Sequence, residues 1–335
     1  MKIERNTVIK AFKISVGITV LTVVLVLIFT ISKETLKSFR EFQPVYLGAI
    51  FPIIFVHYLL DCLRLQTLTS VVGKRVSLKA SMKFTLGSTF MGIVPFGVAT
   101  FPFQLYILNK EGIKPGKATS VIIMTSALLW LVLPFILPFL VSFYRGSFTQ
   151  GFVPALVKYI LIFLTIGVIF WLFMVLEPSY RIRVFLSKFI KGERGKKIVE
   201  KIVEELDNFK ESLKEYYRKG KLKLVESFLL TCASRGMYFF FPYVLLHGLG
   251  QNPPLGQTMM IQIVLTHIVP YMPTPGASGI AELSGMGLYS AVCPKYLLGI
   301  YITLWRFFSF YLKAILGGGI FLRMIYRTER SATFS

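Results

Sequence analysis

The stretch LGQTMMIQIVLTHIVPYMPTPGASGIAELSGMGLYSA, residues 255–291, decides the fold. It is apolar over a length that would cross the roughly 30 Å hydrocarbon core of a bilayer. However, three prolines and two glycines interrupt it: Pro270, Pro273, Pro275, Gly276 and Gly279. Because proline removes a backbone donor and clashes with the preceding turn, one straight helix is excluded. Irregular backbone at membrane depth is tolerated only inside protein or beside a wet cavity. The stretch therefore predicts a broken hairpin in a membrane protein.

The rest of the chain has the same membrane character. Hydrophobic residues make up 54% and charged residues 16% of 335 positions, and the mean hydropathy is +0.65. A second apolar stretch, Phe84–Asn109, is broken by Pro95, Gly97 and Pro102. Six blocks are long enough to span: Ala11–Ile31, Pro44–Leu68, Ala118–Val141, Phe152–Leu176, Leu224–Leu249 and Leu297–Phe321. The sequence predicts an all-α polytopic membrane protein with about six transmembrane helices and two re-entrant broken hairpins.

The charge distribution predicts the orientation. Lys and Arg number 38, the formal net charge is +22, and basic residues collect in cytoplasmic loops of membrane proteins. Basic residues flank Phe84–Asn109 on both sides, whereas Leu255–Ala291 is flanked by the uncharged 248–254 and by Lys295 alone. Both termini are therefore expected in the cytoplasm and the chain in the cytoplasmic membrane. A nucleic-acid partner is not expected, because no basic patch with interleaved base-stacking aromatics stands apart from the loops.

The chain is expected to be one membrane domain, residues 1–325, followed by a cytoplasmic tail, residues 326–335. One half covers about 1–141 and the other about 152–325, and each carries two spans, a broken hairpin and one span. Three spans in the first half would place the second half in the opposite orientation across the membrane, as in many transporters. Ile93–Phe96 also resembles Ile268–Tyr271 at the corresponding break, although a match of four residues can arise by chance. A cytoplasmic insert, 177–223, carries an amphipathic helix through Ile198, Ile202, Leu206, Phe209, Leu213 and Tyr217.

Charged residues within the apolar blocks are candidate site residues, because each costs about 2.5–3.5 kcal/mol on insertion scales. Arg235 and Arg306 are predicted to bind an anionic headgroup, since guanidinium binds phosphate with two hydrogen bonds. Glu282 would balance one arginine in the empty site or exchange a proton. The alternative is an internal Arg–Glu pair that holds two helices together, with Lys313 extending toward the cytoplasm. Asp61 and Arg64, three residues apart, are expected to be a structural pair.

The two breaks are candidate anion sites. A helix that starts near Ser278 would point its free N–H groups into the membrane interior, and Pro275, Gly276 and Gly279 would shape the loop before it. In the first break, Thr100 is a candidate helix cap and Gln104 a neutral hydrogen-bonding group. The alternative is a pair of kinked helices with no ligand.

No cofactor, metal site or catalytic residue is expected. The three cysteines, Cys62, Cys232 and Cys293, are scattered and have no histidine at ligand spacing. The sequence lacks the nucleotide-binding and hydrolase motifs that would indicate an ATP-driven pump or a hydrolase.

Three segments together resemble the lysylphosphatidylglycerol synthase transmembrane family, also called flippase-like proteins. They are Pro95–Ile113, Pro273–Glu282 and Trp305–Tyr311, in the family's order along nearly the whole chain, with the Arg64 region similar to an early arginine-containing helix. The resemblance implies a bundle with re-entrant helices that moves a lipid between leaflets, without the soluble aminoacyl-transferase domain of larger members. Where the family often has a Gly-Gly pair and a polar residue, this chain has Ala99, Thr100 and Phe101, a departure at the first break.

The expected function is translocation of an anionic or phosphate-bearing lipid, or of a polyprenyl-phosphate carrier, with membrane lipids as partners. One alternative is a lipid-headgroup transferase or its accessory, for which His267 and Glu282 are the candidate pair. Another is a scaffold whose helix Lys196–Lys219 recruits a soluble enzyme. A homo-oligomer and a soluble enzyme partner are both compatible with the sequence.

Overall fold

The computed structural model describes residues 42–94, 97–133 and 193–333, together with positions 158, 162, 165–167, 180, 181, 184 and 187. These residues form helices and connecting turns, and no strand occurs among them. Three helices are long and apolar enough to cross a membrane. The prediction of an all-α membrane protein is therefore confirmed. The predicted span Ala11–Ile31 and nearly all of Phe152–Leu176 lie outside the described residues.

Four helices belong to the first half of the sequence. Helix α1 covers Pro44–Val71 and agrees with the predicted second span. The first interrupted stretch forms two short helices, α2 at Leu78–Met91 and α3 at Thr100–Lys110, with a break between them. Helix α4 covers Pro115–Leu131. The break predicted from Pro95 and Gly97 is therefore present, and the next helix begins at Thr100, before Pro102.

The second half begins with α5 at Glu193–Arg218 and α6 at Lys221–Gly248. The second interrupted stretch forms α7 at Leu255–Ile268 and α8 at Ile280–Tyr289, with two short 3₁₀ turns between them, Val269–Tyr271 and Pro275–Ala277. The last span combines α9 at Lys295–Arg306, a π-helical segment at Phe307–Tyr311 and α10 at Leu312–Thr333. Its first 30 residues, to Met324, satisfy the length and hydropathy of a membrane span.

The two halves share an order of elements. In each, a 28-residue helix precedes a 14-residue helix, a break and a helix of 10 or 11 residues, after which another helix follows. This order agrees with the proposed repeat, whereas the inversion of one half stays a prediction.

The described residues group into two compact units. One contains residues 42–62, 82–94, 97–104 and 233–333, and the other contains 63–81, 105–133 and 193–232. Each unit therefore draws residues from both halves of the sequence. The expectation of a single membrane domain stays a prediction.

In the first unit, α10 packs on α2 through glycines. A Cβ atom on Gly317 would lie 2.2 Å from the carbonyl oxygen of Leu86, and one on Gly318 would contact the ring of Phe90. Gly87 faces the ring of Phe103 in the same way. Small residues at helix contacts allow close backbone approach in membranes, where packing replaces the hydrophobic effect between helices. The break between α2 and α3 is therefore held next to the last span.

In the second unit, the amphipathic helix α5 packs on α4. Gly116 N–H donates to Glu205 Oε2 at 2.6 Å, and Lys117 Nζ lies 3.6 Å from Glu215 Oε1. Phe209 and Leu213 of the predicted apolar face are buried, whereas Ile198, Ile202 and Tyr217 are exposed. The predicted helix is thus present, and its buried face includes Val199 and Tyr216 in place of Ile198 and Tyr217.

Candidate functional site

The second break is a tight loop of unusual backbone conformation. Gly276 has φ +61°, Ala277 +54° and Gly279 +83°. Ala277 is the only non-glycine residue with a positive φ among the described residues. Because L-residues with a side chain rarely adopt this region, strained backbone of this kind is often found at functional sites. The conformation is held by the surrounding contacts.

Arg306 and Glu282 form a buried ion pair against this loop. Arg306 Nε donates to Glu282 Oε1 at 2.8 Å, and Arg306 Nη2 donates to the carbonyl oxygen of Gly276 at 3.0 Å. Tyr311 Oη donates to the same carboxylate oxygen at 2.9 Å. Glu282 is fully buried and Arg306 is 2% exposed. The structure therefore brings Arg306, Glu282 and Gly276 together, as the sequence predicted for one arginine and the carboxylate.

The N-terminus of α8 already holds an anion from this chain. The sequence placed the helix start near Ser278, whereas Gly279 is the N-cap and the first helical residue is Ile280. Gly279 N–H donates to Glu282 Oε2 at 2.7 Å, so the carboxylate takes one of the free donors at the helix start. Pro275 and Ser278 lie in the loop that leads to this start, and Ser278 is fully buried. The Glu282 carboxylate therefore lies at the helix start where the sequence predicts an anion, and the binding of an external anion there stays a prediction.

The two breaks contact each other. Gly276 N–H donates to the carbonyl oxygen of Ile93 at 3.0 Å. Ile93 follows α2 directly, so the bond joins the tip of one hairpin to the tip of the other. The prediction that both breaks contribute to one site depends on such proximity.

Thr100 and Gln104 are farther from the ion pair. Thr100 is the first residue of α3, and its hydroxyl lies beside Gly97 in the first break. Gln104 lies one turn later and is half-buried. Within the part of the chain that the structure describes, neither side chain hydrogen-bonds to Arg306 or Glu282. Their assignment to the site stays a prediction.

Arg235 pairs with Asp61. Arg235 Nη2 donates to Asp61 Oδ2 at 3.0 Å, and Ser234 Oγ donates to Asp61 Oδ1 at 2.7 Å. His57 Nδ1 lies 2.8 Å from Ser234 Oγ, so two neighbouring residues of α6 contact two residues of α1. The sequence had assigned Asp61 to Arg64 as an i, i+3 pair. It missed the long-range pairing because spacing along one helix does not reveal which side chain of another helix lies opposite.

Tyr238 connects the two arginines. Its ring lies 5.7 Å from the guanidinium of Arg235 and 4.5 Å from Lys313 Nζ. Arg306 is also close enough to interact electrostatically with the Tyr238 phenol. Lys313, which was expected to extend toward the cytoplasm, is only 8% exposed and contacts Tyr238 Oη at 3.4 Å. The two arginines therefore lie around a common aromatic side chain.

Gln262 is a site residue that the sequence reasoning missed. Its Oε1 accepts hydrogen bonds from Tyr289 Oη at 2.9 Å and Trp305 Nε1 at 2.8 Å, so it connects α7, α8 and α9. Trp305 immediately precedes Arg306, and Gln262 therefore helps to orient the ion pair. An amide in the middle of the apolar stretch of α7 was the available signal.

The remaining candidates give no catalytic arrangement. His267 Nδ1 contacts the carbonyl oxygen of Ile263 at 2.8 Å, while the Glu282 carboxylate accepts from Arg306, Tyr311 and Gly279. In the described ranges, no group of three His, Cys, Asp or Glu residues could hold a metal ion. What the site can do chemically is exchange one anion for another at a buried guanidinium.

Comparisons with known proteins agree with this architecture. The sequence profile described as the lysylphosphatidylglycerol synthase TM region matches residues 14–317. The chain is 25% identical over 310 residues to a UPF0104 membrane protein of Archaeoglobus fulgidus, covering 90% of this chain and 94% of that protein. No solved structure matches the chain.

Proposed function

The chain belongs to the lysylphosphatidylglycerol synthase TM region family of membrane proteins, and from this premise we propose that it translocates an anionic or phosphate-bearing lipid, or a polyprenyl-phosphate carrier, between the leaflets of the cytoplasmic membrane. Arg306 and Arg235 bind the headgroup. Glu282 occupies Arg306 while no lipid is bound. Both termini lie in the cytoplasm.

The observation that carries this proposal is the buried pair of Arg306 and Glu282 at the place where the two breaks meet. Charges and irregular backbone at membrane depth are costly and are typical of substrate pathways. Two interrupted hydrophobic stretches and a buried ion pair at their junction are unfavourable in a membrane. Their presence therefore favours a functional role over a purely structural one. Discontinuous helices at the midplane are a recurrent way to bind substrate in transporters.

The proposed step is an exchange of anions at Arg306. In the empty protein, Glu282 accepts the Nε–H of Arg306, and a lipid phosphate would take its place by accepting the guanidinium donors bidentately. Because a guanidinium is always charged, an anion neutralises it in both states, and the displaced Glu282 carboxylate would take up a proton so that it does not remain as an unpaired buried charge. Release of Glu282 would free the N-terminus of α8 and its contact at Gly279. The loop that touches Ile93 would then be able to move.

The test compares two substitutions with opposite expected effects. We expect Arg306→Ala to lose co-purifying phosphate-bearing lipid, measured by mass spectrometry per mole of protein. Glu282→Gln removes the competing anion and is expected to increase the same quantity. Arg323→Ala is the matched control, because Arg323 lies on the same span and is exposed. Equal lipid ratios in all four proteins would exclude a headgroup role for Arg306.

Transport itself is measured in proteoliposomes. A fluorescent phospholipid in the inner leaflet becomes accessible to an impermeant quencher when it is moved. We expect wild-type and Arg323→Ala proteins to move a phosphate-bearing lipid faster than a neutral lipid of the same chain length. Loss of this preference in Arg306→Ala would support the assignment, and an unchanged preference would overturn it.

A further inference from the structure

Lys313 is a buried cation with no carboxylate partner in the described part of the chain. It lies at the second residue of α10 and is 8% exposed. Its Nζ contacts Tyr238 Oη at 3.4 Å and lies 4.5 Å above the Tyr238 ring and 5.8 Å from the Tyr58 ring. A cation over aromatic rings gains some stabilisation, but a desolvated ammonium still lacks its counter-charge.

The charges around Tyr238 do not cancel. Arg235 is paired with Asp61, and Arg306 is paired with Glu282. Lys313 is left as the surplus positive charge among these buried groups. Burying a charge without a partner is unfavourable, so the arrangement would be stabilised by one additional negative charge at this position.

Polar atoms without hydrogen-bond partners lie in the same neighbourhood. They are the hydroxyl groups of Tyr58 and Ser309 and the Nε of Arg235, all buried. The Tyr58 ring lies 5.8 Å from Lys313 Nζ, and Arg235 shares Tyr238 with Lys313 as an aromatic neighbour. Ser309 lies about one turn before Lys313 on the same span. All of them can donate a hydrogen bond. Buried polar groups are usually satisfied, and several unsatisfied donors beside a surplus cation indicate an anion with several acceptor oxygens.

We propose that Lys313, Tyr58, Ser309 and Arg235 Nε form a second oxyanion site, which takes a phosphate group. The proposal rests on the proposed function and adds a binding position to it, separate from the Arg306–Glu282 pair. Phosphate presents several strong acceptor oxygens and suits a point-charge ammonium surrounded by hydroxyl donors. The phosphate belongs either to a lipid headgroup or to free inorganic phosphate.

The experiment uses the full chain with two substitutions of Lys313 and one control. Lys313→Met removes the charge and keeps an unbranched side chain, whereas Lys313→Arg keeps the charge. Lys295→Met is the matched control, because Lys295 starts the same span and is exposed. Two quantities are measured: phosphate-bearing lipid per mole of purified protein, and the thermal midpoint of lipid-stripped protein with inorganic phosphate or with chloride at equal ionic strength.

We expect Lys313→Met to retain at least tenfold less phosphate-bearing lipid than wild type, while Lys313→Arg retains most of it and Lys295→Met is unchanged. In lipid-stripped protein without phosphate, Lys313→Met should have a thermal midpoint equal to or higher than wild type, because an uncompensated charge is removed. Phosphate-dependent stabilisation of wild type but not of Lys313→Met, with no enriched lipid, would support the site and identify free phosphate as the ligand.

Two results would overturn the site. One is enrichment of a phosphate-bearing lipid in wild type and to the same extent in Lys313→Met, which would leave the proposed function in place and remove only Lys313. The other is a lower thermal midpoint of Lys313→Met in the absence of phosphate, which would make Lys313 a structural cation. If wild type itself neither enriches a phosphate-bearing lipid nor responds to phosphate, both the site and the proposed headgroup chemistry are wrong.

Discussion

The ion pair between Arg306 and Glu282 allows a quantitative prediction about stability. Glu282 is fully buried and accepts three donors, so Arg306→Met leaves a carboxylate in the interior with only Tyr311 and Gly279 as partners. Glu282→Gln likewise removes the negative charge opposite the guanidinium and leaves it only neutral acceptors, the amide oxygen and the carbonyl oxygen of Gly276. Removing one member of a buried pair costs about 3–5 kcal/mol, because the other charge is uncompensated. Each single substitution should therefore destabilise the protein by about this amount.

The double variant separates the pair from its surroundings. Arg306→Met with Glu282→Gln removes both charges, and neutral replacements of a buried pair are often tolerated. We expect the loss of unfolding free energy in the double variant to be at least ~3 kcal/mol smaller than the sum of the two single losses. This difference is the coupling free energy of the double-mutant cycle.

The assay is a thermal melt of detergent-purified protein followed by intrinsic fluorescence. At roughly 2 °C per kcal/mol, the value for larger domains, each single variant should melt about 6–10 °C below wild type. Arg323→Met and Glu204→Gln, both exposed, are the matched controls and should melt within about 1 °C of wild type. Single variants that melt with the controls, or a double variant whose shift equals the sum of the singles, would refute the assignment of a coupled buried pair.

Three further predictions concern packing and backbone. Gly317→Val should destabilise the protein by about 1–3 kcal/mol, seen as a lower thermal midpoint, because its Cβ would overlap the Leu86 carbonyl oxygen; an unchanged midpoint would exclude this helix contact. Tyr216→Phe should cost about 1 kcal/mol by removing the hydrogen bond to the Leu68 carbonyl oxygen, with no change in lipid retention. Ala277→Gly should raise the midpoint slightly, because glycine adopts a positive φ without strain, and a lower midpoint would contradict a strained loop.

The Tyr216 prediction has a simple electrostatic basis. Tyr216 is 1% exposed on α5, and burial raises the pKa of its phenol above the ordinary value of 10.0. The phenol therefore stays protonated and able to donate at any pH used for purification. The effect of Tyr216→Phe should be independent of pH between about 6 and 9, where a free phenol of pKa ~10 is protonated as well.

The sequence predicted the helices and breaks well because their signals are local. Proline and glycine inside apolar stretches end helices wherever the rest of the fold places them, and the break at 269–279 lies where Pro270 to Gly279 indicated. The family resemblance is confirmed by the profile match. The start of α8 was misplaced by two residues, because the Glu282 carboxylate caps Gly279 and so selects the N-cap.

Side-chain partners could not be predicted in the same way. Arg235 and Asp61 are 174 positions apart, and their contact depends on the rotation of α6 against α1. Gln262 is polar and therefore visible in the sequence, but its two donors come from α8 and the last span, which only the folded chain brings together. For the same reason the sequence indicated a carboxylate for one arginine alone, Glu282, and did not reveal that Asp61 pairs with Arg235.

The pairing of both arginines changes how the headgroup must bind. A site made of unpaired arginines would bind a phosphate tightly and release it slowly, whereas the lipid translocation proposed above requires both binding and release in each cycle. An arginine that returns to its own carboxylate loses little free energy when the lipid leaves, because it is paired with an anion before and after release. The free energies of the two states then differ only by the arginine's preference for phosphate over carboxylate. Within residues 42–94, 97–133 and 193–333, no carboxylate forms an ion pair with Lys313, whose Nζ contacts Tyr238. Lys313 would therefore supply net attraction for the anion, while Arg306 supplies the exchange. A substitution that gives Lys313 an acidic neighbour, such as Tyr58→Glu, should lower lipid retention without removing any cation. Greater retention in that variant than in wild type would contradict this division of roles.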